Sequence, residues 1–431
     1  MVLGQGLDLT LFNAPQPRSR LYTNGAAYRK GSLAALLGLG YESNDTLLLE
    51  RELSGRHSGH AAIATSMARV AIYLVLKNLI QRGQKVILSP YTISDVVNMV
   101  LCAGGVPLFA DIEAGSSCNI DADAVLDLLK THDDVGAVLV THFYGLICNI
   151  RPILVACWER GIPVVEDAAQ AFGATLDGSL AGTIGEVGIF SFGLLKNITG
   201  FVGGAVITKN RDLEAKIRAD LSAMSIFPRS MFFKKMAKGA AFDFATLPLI
   251  FGSTVYWIFR AASVRNIKFF DNKLETDSDP VAYDTFPKSY AHQMSGVQAN
   301  IIRSQFKRCE GQTRERIAKA EIYHDGLKDL PGIELPPMRV DGSHIYLYYS
   351  ILCEHRDRLA HWMIQKCRDV QISHHRNCAS MACFASYQRD CLNAEHAARS
   401  VIYLPTYPGY SQLEVARNVD AVRQYFGAAN R

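Results

Sequence analysis

Six short runs, KVILSP, VPLFADI, VGAVLVTHF, PVVEDAA, GIFSFG and GGAVITK, punctuate the chain between Lys85 and Lys209. Each is nearly continuous in apolar and β-branched residues, and the stretches between them carry apolar residues at helical spacing. Strands of this kind are buried on both faces, and helix-length connections between them make a largely parallel sheet with helices on either side. The expected fold class is therefore α/β. Upstream, TSMARVAIYLVLKNLI from Thr65 predicts a helix with Thr65 or Ser66 as its cap, and its first-turn N–H groups form a site for an anion. Downstream, HIYLYYSILCEHRDRLAHWMIQKC reads as a strand turning at RDR into a helix, and VIYLPTYP before a last helix repeats the theme. A smaller C-terminal α/β domain is expected from about residue 320 to 431. A large domain is expected over 47–319, after an N-terminal segment, 1–46.

Composition narrows the class. A chain of 431 residues exceeds what one core usually supports, so two domains agree with its length. A net charge of +4 without a tract of Lys and Arg interleaved with aromatics argues against nucleic acid. The N-terminal sequence lacks the pattern of a secretory signal, and a cytoplasmic location is expected. Ten cysteines without regular spacing then read as reduced thiols, Cys102 and Cys157 among the buried ones. The group His374, His375, Cys378, Cys383 and Cys391 invites a zinc assignment. Its spacings match neither a C-x-x-C pair nor a His-x-x-x-His helix, and no metal is expected.

Chemistry concentrates between Val164 and Gly204. VVEDAAQAFGA sets Asp167 and Gln170 at the end of an apolar strand, where ligands of such sheets collect, and SFGLLKNITGFVGG sets Lys196 five residues after Ser191. A buried carboxylate beside a ring nitrogen keeps a pyridoxal ring protonated, and an amine in reach of the aldehyde supplies the covalent link and the proton shuttle. Singly, Asp167 reads as a helix cap and Lys196 as a solvated side chain. Their order and spacing suggest a pyridoxal phosphate site.

The ED-A-A-Q-A and S-F-x-x-x-K segments, with the trailing Gly-Gly, resemble the DegT/StrS-type sugar aminotransferases, pyridoxal phosphate enzymes of fold type I. The resemblance extends to SPYTISD, to THFYGL from Thr141, to MSGVQANIIRSQF from Met294 and to the C-terminal segment from Ser400. It implies a homodimer with the active site near the subunit interface, an amino-acid donor, glutamate by analogy, and a keto-sugar acceptor, nucleotide-linked by the same analogy, within amino-sugar or polysaccharide biosynthesis. Lys196 would hold the cofactor as a Schiff base, Asp167 would face the ring nitrogen, Gln170 the ring hydroxyl, and Ser191, Ser66 and Met67 the phosphate. Lys196 also argues against the sugar dehydratases of the family, which have His at that position. Tyr91 is the candidate to stack on the ring. An aromatic of the core is the competing reading, since the family's stacking ring follows the Thr, where this chain has Ile93.

Two departures stand out. The family's Asn-x-Arg before the Met-Ser, whose Asn reaches the phosphate of the neighbouring subunit, is here Ala291, His292 and Gln293. An insertion over about 225–285 carries an uncharged run from Phe244 to Phe259, broken by Pro248 and Gly252 and flanked by Lys234, Lys235, Lys238, Arg260, Arg265 and Lys268. The run is shorter than the ~20 residues that cross a bilayer, so contact with the inner membrane surface through Phe244 to Phe259 is one reading. Packing on a partner subunit or over the active-site mouth is the other. The departures also leave open a cyclitol or lipid-linked ketone as acceptor, and a membrane-associated protein of this fold without turnover.

Overall fold

The computed structural model describes residues 14–21, 23–264 and 280–429. Within them, the main sheet is built from β1 (Ala61–Thr65), β2 (Lys85–Leu88), β3 (Val106–Phe109), β4 (Val135–Thr141), β5 (Val164–Asp167), β6 (Val187–Ser191) and β7 (Gly204–Thr208), in the order β1-β7-β6-β5-β4-β2-β3. β3, β2, β4, β5 and β6 run parallel, and β7 is antiparallel to both β6 and β1. Every residue of β1, β4, β5 and β7 is buried, as continuous apolar runs require. β1, AAIAT, is the strand that the apolar pattern does not announce, because three alanines carry little strand signal; pairing along β7 decides it.

The helix after β1 spans Ala68–Leu79, later than expected. Its cap position is Met67, with no side-chain cap bond, because Thr65 ends the strand and pairs with Gly204. Asp45–Arg56 crosses the expected boundary at residue 46, and the helix Cys309–Leu327 crosses the one at 319. Ala320, Tyr323 and Leu327 of the latter pack into the second core. That core underlies a second, antiparallel sheet of β8 (Ile333–Glu334), β9 (Tyr349–Cys353), β10 (Gln371–Ile372) and β11 (Val401–Leu404), ordered β8-β9-β11-β10.

The insertion is helical. Arg229–Ala245 is followed by a turn, a short piece from Pro248, a wider-wound turn over Phe251–Val255 and the helix Tyr256–Val264. The two arms meet at 62°, at the break that Pro248 imposes. Among the described residues no single helix is long and apolar enough to cross a membrane, although this bent pair is so in combination. Arg265 and Lys268 lie outside the described residues.

Candidate active site

Register assembles the site. Thr65 of β1 pairs with Gly204 of β7, and Gly204 pairs with Ser191 of β6, so three strand ends stand in one row, neighbours about 4.8 Å apart. Because β7 runs backwards, its first residue lies at the carboxyl edge of the others. Asp167 ends β5 at the same edge, beside Ile189 of β6.

Alternation along β5 separates two adjacent acids. Glu166 is wholly buried on the opposite face, where its carboxylate accepts from the backbone N–H of Gly182 (2.8 Å), Ile184 (2.7 Å) and Gly185 (2.6 Å) and from His142 Nε2 (2.9 Å). His142 Nδ1 in turn accepts from the Cys148 N–H (3.3 Å), so the proton sits on Nε2. Asp167, on the site face, accepts only from Ala169 N (3.0 Å) among the bonds of the described residues and is 6% exposed. Burial pushes its carboxyl up, opposed by that N–H and by the Lys196 amine.

Lys196 lies in the loop between β6 and β7. The loop is closed by Phe192 N–H to Gly203 O and Gly200 N–H to Phe192 O, both 2.9 Å. Leu195, the residue before it, has φ +63°, a left-handed conformation that costs a branched side chain about 1–3 kcal/mol. Asn197 Nδ2 donates to Phe172 O (2.8 Å), and Gln305 holds both ends of Thr199 through its carboxamide (3.2 and 2.6 Å). Burial pushes the Lys196 ammonium down, with Asp167 opposing it, so the two groups share one desolvated environment.

Gln170 is buried, and its Oε1 accepts from Tyr144 N (3.0 Å), which leaves Nε2 to donate. Ser191 is half-buried, its hydroxyl 3.5 Å from Gly193 N. Ser66 is fully buried and its Oγ has no hydrogen-bond partner among the described residues, an unusual cost for a hydroxyl. It sits directly before the first helical turn, where Met67 packs partly buried against the core under the insertion. Gly204 leaves that turn open: a Cβ there would lie 2.6 Å from Ala68 N and 2.8 Å from Thr65 Oγ1.

Tyr91 is not at the surface of this site. It is completely buried, with its hydroxyl 2.6 Å from Ser373 Oγ and 3.1 Å from Tyr144 Oη, and its ring packs against both Phe143 and His375. The core-aromatic reading describes its position. His375 is drawn in by the tertiary structure instead: its Nδ1 lies 3.1 Å from Tyr403 Oη, and burial, then His374 and Lys196, push its pKa well down, so the ring stays neutral. Cys378 turns away to Thr92 O, and among the described residues no group of three His, Cys, Asp or Glu side chains is placed to hold a metal. Cys157 is buried and Cys102 half-buried.

A cleft opens beside Lys196, walled by Arg18 and Arg20 of the N-terminal segment, by Gln305 and Arg316, and by Tyr348 of the second domain. Among the described residues no carboxylate lines it. Arg18 is tied to Asp369 (2.8 Å), and Arg20 Nε is buried with no hydrogen-bond partner among the described residues. Sequence patterning missed these arginines because the segment carrying the first two has no periodic signal. His292 and Gln293, at the position of the departure from the Asn-x-Arg pattern, form a two-residue parallel pairing with Ser225–Ile226.

Residues 40–423 match the DegT/DnrJ/EryC1/StrS aminotransferase family. The chain is 26% identical over 393 residues to the spore coat polysaccharide biosynthesis protein SpsC of Bacillus subtilis, covering 88% of this chain and 89% of that one. It is 24% identical over 388 residues to a UDP-N-acetyl-3-dehydro-alpha-D-glucosamine 3-aminotransferase of Acidithiobacillus ferrooxidans, covering 88% of each. The solved aminotransferase from Psychrobacter cryohalolentis shares the fold, with a TM-score of 0.74 at 20% identity over 96% of this chain and 100% of that one. The strand order, the acid and amine at one sheet edge and the match over most of the chain agree: this protein belongs to the DegT/DnrJ/EryC1/StrS family of pyridoxal phosphate-dependent aminotransferases, with the α/β architecture of fold type I.

Proposed function

We propose that this protein moves an amino group from an amino acid, glutamate by analogy with the family, to a keto-sugar, most simply a nucleotide-linked one. The observation that carries the reading is the shared desolvated environment of the Lys196 amine and the Asp167 carboxylate beside an open helix N-terminus. The nucleotide-sugar acceptor is supported by the name of the Acidithiobacillus relative.

The residues fit the cofactor. The orphaned Ser66 hydroxyl, the Ser191 hydroxyl and the N–H groups of the turn that Gly204 leaves open would hold a phosphate. Met67 contributes its backbone there, since its side chain is committed to the core. Gln170 Nε2 would donate to the ring hydroxyl, because Oε1 is already engaged. Asp167, costly as an isolated buried carboxylate, would gain a cationic partner in the ring nitrogen. The bound group supplies an electron sink for the bond to the substrate α-carbon. Lys196, whose burial favours the neutral amine, would hold the cofactor through Nζ, and the same Nζ would be placed to take the α-proton. The cleft of arginines suits anionic substrates: a carboxylate of the donor or the diphosphate of a nucleotide sugar. A homodimer, in which the neighbouring subunit closes the site, is part of this reading.

The test is the visible absorbance of purified protein with and without glutamate, beside Lys196→Ala. A lysine-bound band that glutamate converts in the wild type, and that the variant lacks, establishes the donor half. Return of the band with a nucleotide-linked keto-sugar establishes the acceptor. A donor half that proceeds while every such sugar fails would favour a cyclitol or lipid-linked ketone.

A further inference from the structure

The helix Arg229–Ala245 has two unlike faces. Its inner face packs Phe232 and Met236 against Phe201 of the Lys196 loop and against the N-terminal helix Gly25–Leu37. At Gly239 a Cβ would stand 3.1 Å from the Phe201 ring and 3.3 Å from Leu194. Gly31 opposes Met236, Gly38 opposes Arg229 and Tyr28 bonds Asp243, so the two helices run antiparallel.

The outer face is apolar and basic. Phe233, Ala237, Ala241 and Phe244 follow at i, i+4, i+8 and i+11, one exposed stripe of the helix, with Lys234 and Lys238 exposed alongside. Beyond the bend the apolar surface continues through Leu247, Leu249, Trp257 and Ile258, all 40–66% exposed, while Phe251 and Tyr256 turn inward. Arg260 stacks over the Trp257 ring at 5.3 Å. At the Arg229 end, Leu36 and Leu37 of the N-terminal helix are 72% and 65% exposed. Across residues 229–264 the charged groups are Arg229, Lys234, Lys235, Lys238, Arg260 and a single acid, Asp243, which bonds inward to Tyr28.

We propose that this face docks on an anionic lipid surface, the bent helix pair lying in the interface with Phe244, Leu249, Trp257 and Ile258 toward the acyl chains and the lysines at the headgroups. Charge selects the occupant. Among the described residues of the insertion, 229–264, the exposed charged groups beside the patch are all basic, which is complementary to acidic headgroups, whereas lysines beside the apolar core disfavour a second protein surface, where Lys is depleted. The bend and the short uncharged run suit lying in the interface rather than crossing. Because the inner face of the same helix supports the Lys196 loop, docking holds that loop about one helix diameter, ~10 Å, from the headgroups.

The inference does not rest on the aminotransferase reading, and its test is separate. The full-length protein is sedimented with vesicles of phosphatidylcholine alone and of phosphatidylcholine mixed with phosphatidylglycerol. Binding to the mixed vesicles, weakened by salt, is expected. Lys234→Gln/Lys238→Gln and Phe244→Ser/Leu249→Ser should each lower the bound fraction about tenfold, with oligomeric state and melting temperature unchanged. The lysine pair touches no packing, so it reports even if the apolar pair misfolds. Wild-type protein that ignores both vesicles, variants that bind as well as wild type, or an apolar pair that dissociates an oligomer would each overturn the proposal, the last by showing that a second copy covers the face.

Discussion

The carboxyl edge of the main sheet and the insertion are built in opposite ways. At the edge, the groups that brace the site are committed from several directions: Glu166 by four donors, Gln305 by both ends of Thr199, Lys196 by a strained neighbour and a braced loop. The insertion commits one face to the body and leaves the other exposed. Surfaces committed on all sides tolerate little change and do chemistry. A surface committed on one side can change composition without disturbing the fold, and it is available for contact.

The sharpest way to break the contrast is Lys196→Ala, which should abolish the lysine-bound absorbance and lower transamination by at least about 10³-fold, read by coupled assay. Asp167→Asn keeps the shape and removes the charge; a loss on the order of 10²-fold in kcat is expected, with little change in melting temperature. The same variant has a pH signature. Burial lowers the pKa of Lys196 and Asp167 raises it, so the Lys196 amine of the apoprotein should react with an acylating reagent at a pH where surface lysines are protonated. In Asp167→Asn that reactivity should persist still further down the pH scale. Peptide mapping reads both, and a shift toward higher pH would sink the pairing of the two groups.

Arg20→Gln should raise KM for one anionic substrate by roughly tenfold and spare kcat, which assigns the cleft to donor or acceptor. Gly204→Ala drives a methyl into the turn before Ala68 and should cost about 1–3 kcal/mol of stability and weaken cofactor retention, measured by melting and by dialysis. Smallest is Leu195→Asn, which suits φ +63° better: melting should hold or rise, by less than about 1 kcal/mol, while kcat falls only a few-fold. Equal losses across the edge and the exposed lysines of the insertion would erase the distinction.

Legibility followed the same division. Continuous apolar runs announced β2 to β7 because burial on both faces leaves no other composition. β1 was hidden in AAIAT, which only the partner strand β7 makes a strand. Asp167, Gln170, Ser191 and Lys196 were legible as a spaced set, and the structure brings them to one edge. The tertiary structure placed His375 and Tyr91: the histidine, from a group whose spacing matched no metal pattern, lies where Lys196 acts on its charge, and the tyrosine, open between a stacking ring and a core aromatic, is buried in the core.

The sequence by itself determined the α/β class, the acid–amine pair and the unusual composition of the insertion, because each is a local pattern of burial, spacing or charge. Only the tertiary structure decided that Thr65, Gly204 and Ser191 share a row, that Glu166 and Asp167 serve opposite faces, that Arg20 and Arg316 wall one cleft, and which side of the insertion faces out. Those facts depend on register and on contacts between residues far apart in the chain, and local spacing carries no information about either.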